Sequence, residues 1–195
     1  MLIRDLREKE IKKLSEIMSQ KLTEHRLFKF LCPKEEERRD FIEAYFRYYI
    51  PRWLTRGDYL LIDENYDVFL VLAGARRSLH KFSGKGAKKL KKFSSAHTIF
   101  FYRGNLAYLA QLLAPRNKRL KVMTIFSDGT HDDVALELVD EAVALSDKYG
   151  FNLMYDSLTR RLVNNMLEKN FIIMYQKMFA STGYVQTLMI LNNDD

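Results

Sequence analysis

Apolar residues recur along this chain with two different periods, and the change between them outlines its elements. Residues 1–5 read as a short first strand. From Leu6 to about Leu22, Leu6, Ile11, Leu14, Ile17, Met18 and Leu22 return every three or four residues, which predicts a helix with one buried stripe. Leu27-Phe28-Lys29-Phe30-Leu31 has no period and reads as an apolar link. Pro33 opens a second helix with three glutamates in its first turn, where the helix dipole favours them. Phe41, Ile42, Tyr45, Phe46, Tyr49 and Ile50 form its inner face, and Pro51 is expected to disturb its end.

After Arg56-Gly57 the spacing shortens to that of strands. Residues 59–63 and 67–73, joined by Glu64-Asn65-Tyr66, read as a hairpin. Residues 75–97 form an excursion rich in glycine and lysine, with one helix over 87–93. Residues 98–102 read as a strand, Asn105 caps a helix that runs to Ala114 and stops at Pro115, and residues 120–126 form another strand. Ser127-Asp128-Gly129-Thr130 is a turn. Val134, Leu138, Val139, Ala142, Val143, Leu145 and Tyr149 then mark a helix closed by Gly150. A strand over 151–155, a helix over 160–169 and strands over 171–179 and 184–191 follow, with Asn170 at a left-handed cap. The order is β-α-α-β-β-(insert)-β-α-β-α-β-β: an α/β (α+β) chain, a mixed sheet flanked by helices, read as one domain over 1–195 with a basic insert at about 75–119.

Composition agrees with a folded domain. At 195 residues, 47% hydrophobic and 29% charged, the chain is unlike disordered, collagenous or disulfide-stapled sequences. The single cysteine, Cys32, can form no disulfide within the chain, as expected for a reducing compartment, and a cytoplasmic location is the expectation. The longest apolar run, residues 68–75, is too short to span a membrane, and charged residues follow the first three directly, unlike a signal peptide.

Charge adds more. The net +7 is a neutral start (14 basic, 14 acidic groups in residues 1–67), a middle with 13 basic and no acidic groups (68–127), and an acidic end with 5 basic and 11 acidic groups (128–195). Arg76, Arg77, Lys81, Lys85, Lys88, Lys89, Lys91 and Lys92 are the densest part. They are either a solvated surface or an anion-binding segment for nucleic acid or another polyanion, with Phe82, Phe93 and Phe100 to Tyr102 available for stacking. Ser83-Gly84-Lys85-Gly86 is a glycine turn suited to phosphate or simply a flexible excursion. His25, His80, His97 and His131 show no metal-ligand spacing, so no metal site is expected. No nucleophile elbow or Walker loop occurs.

The opening Met1-Leu2-Ile3-Arg4, the stretch from His25-Arg26-Leu27-Phe28 to Gly57, the junction Asp147-Lys148-Tyr149-Gly150 and the run Leu167-Glu168-Lys169-Asn170-Phe171 together resemble the GNAT superfamily of acyl-CoA-dependent N-acyltransferases. The likeness covers nearly the whole chain. It implies a fold in which two central strands splay and acyl-CoA lies between them, with acetyl-CoA or another acyl-CoA as co-substrate and an amine as acceptor. The implied donor contacts are the backbone of Thr124, Ile125 and Phe126 and the loop Thr130, His131, Val134 and Ala135.

Two features depart from that family. Its pyrophosphate loop falls on residues 130–135, where only Ala135 matches. Asp132 and Asp133 stand there, and a carboxylate about 4 Å from a phosphate repels it by roughly 4 kcal/mol at an effective dielectric near 20. The same aspartates also suit a helix N-terminus that binds nothing. The family's proton-donating tyrosine corresponds to Met166, which has no proton to give; Tyr175 or Tyr155 could replace it, and His131 is the candidate base. The alternative is a non-catalytic relative that binds an anionic ligand or partner through residues 76–92. A monomer and a homodimer are both compatible with the sequence.

Overall fold

The computed structural model describes residues 2–3, 5–55, 57–74, 90, 92–93, 119–158, 160–179 and 183–192. The helix expected over 105–114 and the strand over 98–102 lie outside them, as does most of the helix over 87–93.

Three helices follow the first strand, β1 (Leu2–Ile3): α1 (Glu8–Lys21), α2 (Arg26–Leu31) and α3 (Glu35–Thr55). The apolar link is therefore helix α2. His25 caps it, its Nδ1 accepting the Leu27 N–H at 3.3 Å. A six-residue helix with apolar side chains on most sides has no readable period, and histidine is an unusual cap. Pro51 lies inside α3 and does not end it. The last turn is held by packing, with Trp53 buried and its ring stacked 5.7 Å from Tyr49.

β2 (Tyr59–Ile62), β3 (Val68–Gly74), β4 (Arg119–Ser127), α4 (Asp132–Tyr149), β5 (Phe151–Ser157), α5 (Val163–Glu168), β6 (Ile172–Phe179) and β7 (Tyr184–Leu191) complete the order. α5 is shorter than expected, because residues 160–162 form a turn. The seven strands form one sheet in the order β1-β2-β3-β4-β5-β7-β6, antiparallel except for the parallel pair β4–β5.

Alternate strand residues serve opposite faces. Leu60, Ile62, Phe69, Val71 and Phe126 pack under α1, α2 and α3, where Phe28 is ringed by Phe41, Tyr45, Phe46 and Phe126 at 5.4 to 6.4 Å between centroids. Leu61, Leu70, Leu72, Met123 and Leu153 face the other way, against Leu138, Val139 and Ala142 of α4 and Met166 of α5. Gly150 ends α4 at φ +62° and Asn170 follows α5 at φ +64°, the left-handed positions the sequence assigned to them. Among the described residues, no helix is long and apolar enough to cross a membrane.

A candidate active site where two strands part

The central pair separates part-way along. β4 and β5 are paired from Arg119↔Phe151 to Met123↔Tyr155 and no further. Beyond that point β4 stays on β3 as far as Ser127, and β5 stays on β7 as far as Ser157↔Thr187. Each strand keeps its outer neighbour and loses its inner one. The fork opens into a cavity of about 730 Å³, walled by the strand ends, the loop before α2, the turn before α4 and the turn after β5.

His25 fastens one wall. With Nδ1 committed to Leu27, the ring donates its other N–H to the carbonyl of Ile125, beyond the last β4–β5 pair. The ring lies 5.7 Å from both Phe28 and Phe126. Burial pushes its pKa down to about 4, against the pull of the Ile125 hydrogen bond. It is thus a neutral ring with both nitrogens engaged, a tie between α2 and the fork and no proton acceptor. Arg38 holds the same loop from behind. It is buried on α3 and donates to the carbonyls of Thr23, Cys32 and Pro33, each at 3.1 Å.

The opposite wall is β5. Tyr155 is buried at the fork and lines the cavity. Burial holds its phenol protonated far above neutrality, although its hydrogen bond with Ser157 acts the other way. Asp156 and Ser157 line the cavity beside it, and the buried Asp156 carboxylate accepts Gln186 Nε2 at 2.9 Å.

The floor is the start of α4. Although partial burial opposes it, the Thr130 N–H and hydroxyl, at 2.8 and 2.7 Å, hold the Asp128 carboxyl below its usual range. Gly129 has φ +97°, and a Cβ there would run into Nη1 of Arg161. Arg161, from the turn after β5, donates through Nε to Asp132 at 2.5 Å. The helix start thus carries a guanidinium from 29 residues further along the chain, laid over a glycine backbone.

No protein-family model and no curated protein sequence matches the chain. Among solved structures, the apo form of a mutant agmatine N-acetyltransferase superposes with a TM-score of 0.62 at 10% identity, covering 98% of this chain and 99% of that one. The chain has the fold of that acetyltransferase. A further structure, described as an acetyltransferase, aligns over 100% of both chains at 12% identity and a TM-score of 0.47.

On this acetyltransferase fold, the residues singled out by sequence fall in different places. Thr124 and Ile125 line the cavity, whereas Phe126 turns away into the aromatic cluster under α1, α2 and α3. Thr130, His131, Val134 and Ala135 surround the start of α4 without lining the cavity, and Ala135 is fully buried. His131 Nε2 stands 3.9 Å from the Asp67 carboxylate. Tyr175 lies on β6 against Leu120, Val122, Met154, Leu188 and Ile190, away from the cavity. Met166 is fully buried in the cluster that includes Tyr155. Of the basic segment, Arg76, Arg77, Lys81, Lys85, Lys88, Lys89 and Lys91 lie outside the described residues, and Lys92 is exposed. Asp156 and Arg161 have no motif around them, His25 opens the His25-Arg26-Leu27-Phe28 stretch that carries the family resemblance, and the fold brings the three to one cavity.

Proposed function

We propose that the chain is an acyl-CoA-dependent N-acyltransferase, with the acyl thioester lodged where β4 and β5 part. The observation that carries this reading is the fork itself: a cavity between two parallel strands, with the N-terminus of α4 at its floor. The residues there fit a pyrophosphate-bearing donor. Gly129 keeps the backbone of the turn bare, the N–H groups at the start of α4 have no intrahelical partners, and Arg161 offsets Asp132. Arg161, Gly129 and the first turn of α4 would hold the pyrophosphate, and β4 from Thr124 onward would hold the arm that carries the acyl group.

When bound, acyl-CoA supplies an acyl group on a thioester. In the overall transfer a C–N bond forms to an amine, the C–S bond breaks, the amine gives up a proton and the sulfur gains one. The chain's own groups suit the two proton positions. Tyr155 holds a proton on its phenol oxygen at the fork and is the donor to the leaving sulfur. Asp156, next to it on the same strand and hydrogen-bonded by Gln186, is the acceptor for the amine's proton. Tyr175 and His131 have no part in this scheme because neither reaches the cavity.

Titration calorimetry with acetyl-CoA and longer acyl-CoAs tests it. Stoichiometric binding is expected, weakened about tenfold in Arg161→Ala by loss of a charge-assisted contact. Absence of heat with every acyl-CoA at high protein concentration would overturn the proposal.

A further inference from the structure

The cavity has two different sides, because successive strand residues point to opposite faces of the sheet. Tyr155 packs with Leu138, Val139 and Met166 on the face of α4 and α5. The start of α4 and the turn that carries Arg160 and Arg161 complete that side, where the donor's pyrophosphate is placed. Thr124 lies between Val122 and Phe126 on β4, and Asp156 is two residues beyond Met154 on β5. Both therefore face the other way, toward α2 and α3, as Phe126 does. Glu24, just before α2, and Arg26, its first residue, line the cavity on this second side.

The charges on this second side are engaged unequally. The Glu24 carboxylate already meets Lys29 at 2.5 Å and Arg38 at 3.5 Å. Asp156 accepts Gln186 Nε2. Arg26 is exposed and, among the described residues, paired with no carboxylate. Its backbone is nonetheless fixed. His25 before it is tied to Ile125, and Leu27 after it is buried, with its N–H given to the His25 ring. We infer that the acceptor is an amino acid, which turns its amine to Asp156 and its carboxylate to Arg26. The inference rests on the acyltransferase reading of the fork and names the class of amine. A guanidinium is a planar set of donors that matches a carboxylate with two parallel hydrogen bonds, and Arg26 offers one on a fixed stem. A diamine fits worse, because its second ammonium would meet Arg26, and the nearby acid, Glu24, already holds two cations.

The same division of the sheet orders the transfer. The C–N bond forms to the amino nitrogen as the thioester C–S bond breaks, the nitrogen's proton passes to Asp156, and the sulfur takes the proton of Tyr155. Proton exchange with solvent restores both groups. Tyr155 stands on the donor's side and Asp156 on the acceptor's, so the two substrates meet at the fork from opposite faces.

Thiol release from acetyl-CoA by the full chain tests the inference, with the common L-amino acids, their carboxamides and straight-chain diamines as acceptors. At least one amino acid is expected to raise the rate above that without acceptor, with kcat/KM about tenfold or more above its own carboxamide and above every diamine. Arg26→Gln should remove that preference by raising KM for the amino acid about tenfold or more, and Arg26→Lys, which keeps the charge without the fork, should restore part of it. Calorimetry with acetyl-CoA separates two failures. If no acyl-CoA binds, the acyltransferase reading falls and this inference with it. Binding without turnover of any amino acid overturns this inference alone. So does a carboxamide or diamine used as well as the amino acid. A loss of acyl-CoA affinity in Arg26→Gln would overturn it too, because it would put the guanidinium on the donor.

Discussion

His25 makes stability depend on pH in a way that can be isolated. In the folded chain its pKa lies near 4, whereas in the unfolded chain it returns to about 6.5. Between those values the unfolded state binds a proton that the folded state refuses, so stability falls as pH drops from 6.5 toward 4. At about 1.4 kcal/mol per pH unit the full difference is about 3 kcal/mol, an upper bound because the half-buried ring keeps some contact with the cavity. Carboxylates titrate over the same range, so the informative quantity is the difference between wild type and His25→Asn. Asparagine is a good N-cap and can still accept the Leu27 N–H. It cannot also reach Ile125 and lacks the ring contacts with Phe28 and Phe126, which costs about 1–2 kcal/mol at pH 7.5. At pH 5 the wild type has lost about 2 kcal/mol through His25 alone, and the variant has not. Urea denaturation at the two pH values should therefore show the variant less stable at pH 7.5 and level with or above the wild type at pH 5. A difference that stays constant across this range would refute the reasoning, because it would mean that His25 titrates alike in both states.

Three further outcomes follow from named contacts. Arg38→Ala removes the donor to three loop carbonyls and should cost about 3 kcal/mol in denaturant unfolding; Arg38→Lys should recover less than half, because an ammonium lacks the planar fork that spans them. Tyr155→Phe should lower turnover about a hundredfold with acyl-CoA affinity unchanged by calorimetry, as expected for a proton donor that does not hold the ligand. Asp132→Asn removes the charge that competes for Arg161 and should tighten acyl-CoA binding several-fold, whereas a loss of affinity would show that the pair itself, and not the guanidinium, shapes the floor.

The sequence was most informative where local rules act alone. The stripe of α4 closed by Gly150, the left-handed Asn170 and the hairpin at residues 64–66 each follow from nearest-neighbour chemistry, and each is present. α2 is not legible because six residues, of which Leu27, Phe28 and Leu31 are buried, are too few to mark a period. Pro51 lies in the last turns of α3, where it gives up one backbone bond, while Tyr49 and Trp53 are held by stacking. The fork was legible only through family resemblance. β4 and β5 are both apolar runs, and nothing in either run marks Met123 or Tyr155 as the last pair. The candidate chemistry is legible in part: of the residues the sequence offers, Thr124, Ile125 and Tyr155 line the cavity and His131 and Tyr175 do not, while Asp156 and Arg161 join it only through the fold.

Distance along the chain misleads about the charge at this floor. Counted locally, Asp132 and Asp133 place two negative charges at the helix start where a pyrophosphate would sit, and each would repel it by roughly 4 kcal/mol. The fold separates them. Asp133 is exposed, in high dielectric, where the same repulsion shrinks to about 1 kcal/mol at 4 Å. Asp132 is bonded to Arg161, so an arriving anion meets an ion pair and not a bare carboxylate. That guanidinium has five N–H donors in a fixed plane, and its Nη1 is laid over the bare backbone of Gly129. An anion at this floor can therefore share Arg161 with Asp132 and draw on the helix N–H groups together. The acidic loop is thus a paired one at this floor, because the cation that offsets Asp132 lies 29 residues away in sequence and 2.5 Å away in space.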